Sequence, residues 1–118
     1  MGSLAVNGEE DVTGYDATSY EDVEPRAPGM SFLRDALDCE THGLTVIEAD
    51  EGWDGLEHDH EDDGQEGVYL LLEGEATIQL DGDQVDLAPG DAVRVDPETT
   101  RELRFTADDS LMVVTGAP

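Results

Sequence analysis

The chain contains no lysine. Its five basic residues are all arginine, against 31 acidic ones, and the formal net charge over 118 residues is −26. Nucleic acids and anionic membrane surfaces are gripped through clustered Lys and Arg, so neither is expected as a partner. At moderate ionic strength such a surface repels itself, whereas in molar salt the screening length falls to about 3 Å. The composition therefore points to a salt-rich cytoplasm. Cysteine occurs once, as Cys39, which excludes an internal disulfide or a cysteine zinc cluster; it is expected as a small core residue. No apolar run approaches the length of a bilayer span, and the first ten residues show neither the basic nor the apolar segment of a secretory signal. A cytoplasmic location is expected. Aromatics are also scarce, with one Trp, two Phe and three Tyr. A single domain with so small an aromatic supply lies near the lower end of what buries an adequate core alone, and a homodimer is expected because dimerisation adds buried surface.

What is present is a series of short apolar stretches separated by turn residues. Residues 1–28 are rich in Gly, Asp, Glu and Ser and close on two prolines, which reads as an acidic arm, loose or extended, that Tyr15 and Tyr20 could pin to the body or to a second subunit. Residues 29–118 read as one domain. Met30–Leu37 suggests a short strand and a turn, and Leu44–Ala49 a clear strand. Val68–Leu72 is continuously apolar, Ala76–Leu80 alternates, and Asp81-Gly82-Asp83 is a hairpin turn into Val85–Leu87. Ala92–Val95, Arg101–Phe105 and Leu111–Val114 follow, with turns at Ala88-Pro-Gly-Asp91, Asp96–Thr100 and Ala107–Ser110. Many short strands and no amphipathic helix indicate an all-β, antiparallel sandwich or barrel.

The stretch Gly52–Gly74 carries the chemistry. In an extended chain residues i and i+2 face the same way about 6.7 Å apart, so His58 and His60 can converge on one ligand. Alternation in Arg101–Phe105 puts Arg101, Leu103 and Phe105 on one face, the inward one, and Glu102 and Arg104 on the other. Tyr69 could turn its hydroxyl toward the same interior or fill the core. Asp59, Glu61, Asp62 and Asp63 could supply oxygen ligands or be solvated acids among many. His42 reads as a turn residue before Gly43, and Trp53 as packing on the barrel rim.

With these elements in place the sequence resembles the cupin family of small jelly-roll barrels. Gly52, five residues, His58-Asp59-His60 and the closing Gly74 fit the first family motif, and Pro89-Gly90-Asp-Ala-Val-Arg-Val95 with Pro97 fits the frame of the second. The resemblance covers residues 43–115 and implies an antiparallel jelly-roll barrel behind the N-terminal arm. It also implies one divalent transition metal (Fe, Mn, Zn, Ni or Cu) held by two histidines, a glutamate and a second-motif histidine. Here the glutamate position falls on Gly67 and the second histidine on Arg101. A guanidinium stays protonated, and one about 4 Å from a divalent ion would cost on the order of 8 kcal/mol at an effective dielectric of 20. The metal is therefore expected to be weak or absent. Arg101 either enters the barrel, where its fork suits a carboxylate or phosphate, or swings to the mouth and pairs with an acid. Glu66 lies one residue out of register; a β-bulge at Gly67 would turn it inward to complete a site of His58, His60 and Glu66.

Three functions remain open at this level. One is a cupin barrel binding a small anionic molecule through His58, His60, Arg101 and Tyr69, with a degenerate metal site. Another is a mononuclear metalloenzyme of oxygenase, isomerase or lyase type using His58, His60 and Glu66, as ligand or base. The last is a non-catalytic dimeric structural or regulatory module. The expected dimer should show in molar KCl as a light-scattering mass of about twice the 12.7 kDa chain; a monomer mass contradicts it.

Overall fold

The structure is a computed structural model that describes residues 14–55 and 58–118. The first thirteen residues of the expected arm, and Leu56 and Glu57 within the motif stretch, lie outside the described residues. Among the described residues, eight strands follow a short 3-10 turn at Tyr20–Asp22: β1 (Met30–Phe32), β2 (Gly43–Ala49), β3 (Glu66–Glu73), β4 (Ala76–Leu80), β5 (Asp83–Leu87), β6 (Ala92–Val95), β7 (Arg101–Phe105) and β8 (Ser110–Ala117). They form two antiparallel sheets, one of order β1-β2-β8-β3-β6 and one of order β5-β4-β7. This is the all-β jelly-roll architecture.

Turn chemistry sets the register. Asp81 and Gly82 both hold positive φ, 47° and 93°, the geometry of a primed two-residue hairpin turn, and Leu80 pairs directly with Asp83. At Ala88-Pro-Gly-Asp91 the Asp91 amide donates to the Ala88 carbonyl, and the Asp91 carboxylate accepts from the Ala88 amide at 2.9 Å. Between β3 and β4 the chain turns at Gly74, whose φ is 87°. There the buried hydroxyl of Ser110 accepts from the Glu75 amide and donates to the Ala107 carbonyl at 2.7 Å, tying the start of β8 to the turn.

The inner faces are graded along the strands. On the five-stranded sheet one row is Gly43, Gly116 and Gly67, in register across β2, β8 and β3. Two residues further along lie Thr45, Val114 and Tyr69, and beyond them Ile47, Met112 and Leu71. On the facing sheet Arg101 pairs with Leu80, Leu103 with Ile78, and Phe105 with Ala76. At one end Ile47, Leu71, Met112, Ile78 and Phe105 close the core, each no more than 2% exposed. At the other end the glycines leave room.

Three local features depart from expectation. His58 and His60 belong to no named strand; an isolated bridge joins His58 to Arg101, and another joins Asp54 to Arg104, both on β7. The bulge in β3 falls between Leu71 and Glu73, where Leu72 is 42% exposed, and not at Gly67. Cys39 is half-buried in the loop before β2 and takes no part in the core cluster, because the backbone there is folded back by Arg34, which donates to the Cys39 and Glu40 carbonyls.

A Cβ on Gly74 would lie 2.0 Å from the Ser110 hydroxyl oxygen, whereas one on Gly82 meets nothing within 4 Å. Both glycines hold positive φ, which costs another residue about 1–3 kcal/mol. Gly82→Ala should lose about 1 kcal/mol in urea denaturation and Gly74→Ala at least about 3 kcal/mol, since it adds the clash to the strain. Equal losses would contradict the packing described.

Candidate functional site

The room left at the glycine end is a cavity of about 780 Å³. Its wall is mainly apolar, with Met30, Phe32, Ile47, Trp53, Leu103 and Val114 contributing from both sheets and the rim. That size and lining are usual for small-molecule sites. Five residues with polar side chains singled out in the sequence border it, His58, His60, Glu66, Tyr69 and Arg101, with Asp54 and Gln65 beside them.

Arg101 is the first residue of β7 and faces inward with Leu103 and Phe105, as strand alternation requires. It is 1% exposed. Gly67 lies opposite it, and a Cβ there would lie 3.4 Å from Arg101 Nη1, in close contact. Nε donates to the Thr99 carbonyl at 3.1 Å, and Nη2 donates to the carbonyls of Asp96 at 2.6 Å and Thr99 at 3.0 Å. Nη1 is buried and has no hydrogen-bond partner among the described residues. Arg34 is likewise held by backbone carbonyls, those of Cys39 and Glu40, but the other three arginines contrast with this. Arg26 pairs with Asp35, Arg94 with Glu66 and Asp96, and Arg104 with Asp54, all on the exterior. In a chain of 31 acids, Arg101 makes no ion pair with a carboxylate among the described residues.

Tyr69 lies two residues beyond Gly67 on the same face of β3 and is 5% exposed. Burial pushes its phenol pKa up, against the opposing pull of the nearby Arg101 guanidinium. The hydroxyl is therefore neutral over the physiological range and can donate as well as accept. The hydroxyl is close enough to the guanidinium for a hydrogen-bonding contact, and this together with the guanidinium's charge opposes the rise, although Nη1 has no partner of regular geometry among the described residues.

The two imidazoles sit at the rim, their ring centroids 5.1 Å apart and nearly perpendicular. Their backbone is fastened to the opening of β7. His58 exchanges both backbone hydrogen bonds with Arg101, at 2.9 and 2.8 Å, and the His60 amide donates to the Pro97 carbonyl at 2.8 Å. His60 Nδ1 lies 3.1 Å from Asp63 Oδ2, and this contact holds the Asp63 carboxyl below its usual pKa. Two acids of this loop serve its turns: Asp59 accepts from the Glu61 amide and Asp63 from the Gln65 amide. His42 is exposed beside Thr41 just before β2, and Trp53 packs edge to face on Phe105 while donating to the Pro28 carbonyl at 3.0 Å.

These residues do not fit the metal centre that the sequence resemblance implies. Gly67 offers no ligand, and a buried cation occupies the second-motif position. Pairing is regular from Glu66 through Leu71, so Glu66 does not turn inward with Gly67; it borders the cavity at the start of β3 while its Oε2 lies 3.2 Å from Arg94 Nη1. No three His, Cys, Asp or Glu side chains are grouped to hold an ion among the described residues. What sequence reasoning missed was the glycine row and the carbonyls of Asp96 and Thr99 that grip Arg101. Glycine at three inward strand positions was the available signal.

The comparisons with known proteins agree with the architecture. A cupin protein from Bacteroides fragilis is 21% identical, with a TM-score of 0.73 over 89% of this chain and 84% of that one. KdgF from Halomonas sp. is 21% identical, with a TM-score of 0.66 over 100% and 94%. An RmlC-like cupin protein from Desulfovibrio desulfuricans is 22% identical, with a TM-score of 0.65 over 75% and 80%. At these identities the likeness speaks for the fold alone. No curated protein matches the sequence significantly. The family model for the cupin domain matches residues 45–116, from β2 through β8, and on that match the chain belongs to the cupin family.

Proposed function

We propose that the barrel binds a small anionic molecule, with Arg101 as its anchor, Tyr69 beside the anchor, and His58 and His60 at the entrance. The observation that carries this reading is Arg101 Nη1, a buried charged donor without an acceptor of regular geometry among the described residues. Leaving such a group unsatisfied costs about 1–3 kcal/mol, and more for a charged one. An incoming anion would recover that cost. Three backbone hydrogen bonds hold the rest of the guanidinium in place, so little side-chain entropy is lost on binding. The same cation argues against a divalent ion in the family position, since their repulsion in a partly dehydrated site is large.

Calorimetry and thermal-shift titration against a panel of carboxylates and phosphates, in a fixed KCl background, test the proposal. At least one anion should bind and raise the midpoint. Arg101→Gln should weaken it about ten- to hundredfold, the share of one charge-assisted hydrogen bond, while His58→Ala should weaken it less. Stoichiometric iron, manganese, zinc, nickel or copper in protein prepared without nickel affinity would contradict the reading in favour of a metalloenzyme. Failure of every anion would leave a scaffold role.

A further inference from the structure

Resting on that reading, we infer that the ligand is a monocarboxylate with an apolar body: the carboxylate on Arg101 and the body in the cavity. Donor count comes first. Of the five guanidinium N–H groups, three are committed to Thr99 and Asp96 carbonyls, which leaves the two on Nη1. With the Tyr69 hydroxyl this makes three donors, more than one for each of the two carboxylate oxygens and only one for each of the three oxygens of a phosphate, whose second charge stays unmet. Charge balance agrees. One buried cation neutralises a monoanion, while a dianion would retain a negative charge in an apolar cavity of a chain whose net charge is −26.

The body follows from the remaining wall. Met30, Phe32, Ile47, Trp53, Leu103 and Val114 face a cavity of about 780 Å³. A sugar acid would bury several hydroxyl groups against these side chains with few partners, and each unpaired group opposes binding. An aliphatic or aromatic chain loses nothing there and gains from leaving water. The remaining polar groups include His58, His60 and Gln65 together with the carboxylates of Asp54 and Glu66, so a second polar end of the ligand belongs beside them and is neutral or a donor, whereas a second anionic group would be repelled. Gly67 gates the anchor: its hydrogen faces Nη1, and a side chain in its place would fill the space where the carboxylate docks.

The test is a calorimetric series of acetate, butyrate, hexanoate and octanoate, with octanol, hexyl phosphate and glucuronate alongside. Affinity should rise about threefold to fourfold per added methylene, the factor expected for burying one CH₂ group. It should fall at least tenfold in Arg101→Gln. Gly67→Glu, which supplies an internal carboxylate to Nη1, should also lose octanoate while keeping or raising its thermal midpoint. Glucuronate or hexyl phosphate binding tighter than octanoate, in an Arg101-dependent manner, would overturn this inference and leave the anionic reading standing. Octanol binding as well as octanoate, with Arg101→Gln without effect, would overturn both.

Discussion

A guanidinium held inside a barrel with no carboxylate partner among the described residues is the constraint on which the site depends. Burying an isolated charge is costly, and proteins ordinarily pair it or leave it in water. This chain has acids to spare, yet Arg101 is gripped by the backbone carbonyls of Asp96 and Thr99, whose own side chains do not neutralise it. Carbonyl dipoles can orient a cation, but they leave its net charge in place. The interior thus keeps a positive centre that a ligand can meet.

The strand register decides what lies opposite that side chain. Gly43, Gly116 and Gly67 form a row with no side chains, and two residues away the row becomes Thr45, Val114 and Tyr69. The gradient then ends in the dense packing of Met112 and Leu71. One end of the barrel is core and the other is cavity because of side-chain size along the same strands. Ser110 and Gly74 lock the closed end through a contact too tight for any β-carbon at position 74, so the open end can be underpacked without loosening the whole sheet.

Much of this was legible in the sequence. Strand positions followed from alternation and from turn residues such as Asp81-Gly82, and the inward direction of Arg101 followed from its two-residue spacing to Leu103 and Phe105. The pairing of His58 with His60 at one opening followed from the same rule, although they belong to no named strand and an isolated bridge joins His58 to β7. Pattern could not say where the bulge would fall. It depends on how β3 meets β8 near Ser110, so Glu66 was open to an inward reading that its contact with Arg94 does not support. The choice between a buried and a surface Arg101 was equally out of reach, because it rests on which residues come together across strands.

The acidic exterior and the cationic interior act in opposite directions on an anion. The field of the whole chain repels it, and screening by salt weakens that field far more at the surface than it weakens a contact inside the barrel. A ligand of low charge with apolar bulk is the least hindered by the first effect and the best served by the second. The most direct test is side-chain nitrogen NMR of the arginines during titration with octanoate. The Arg101 Nη1 protons should shift and become protected from exchange at saturation, while those of Arg26, Arg34, Arg94 and Arg104 stay where they were. An unchanged Arg101 signal at saturating octanoate, or one exchanging as freely as the surface arginines, would contradict the account.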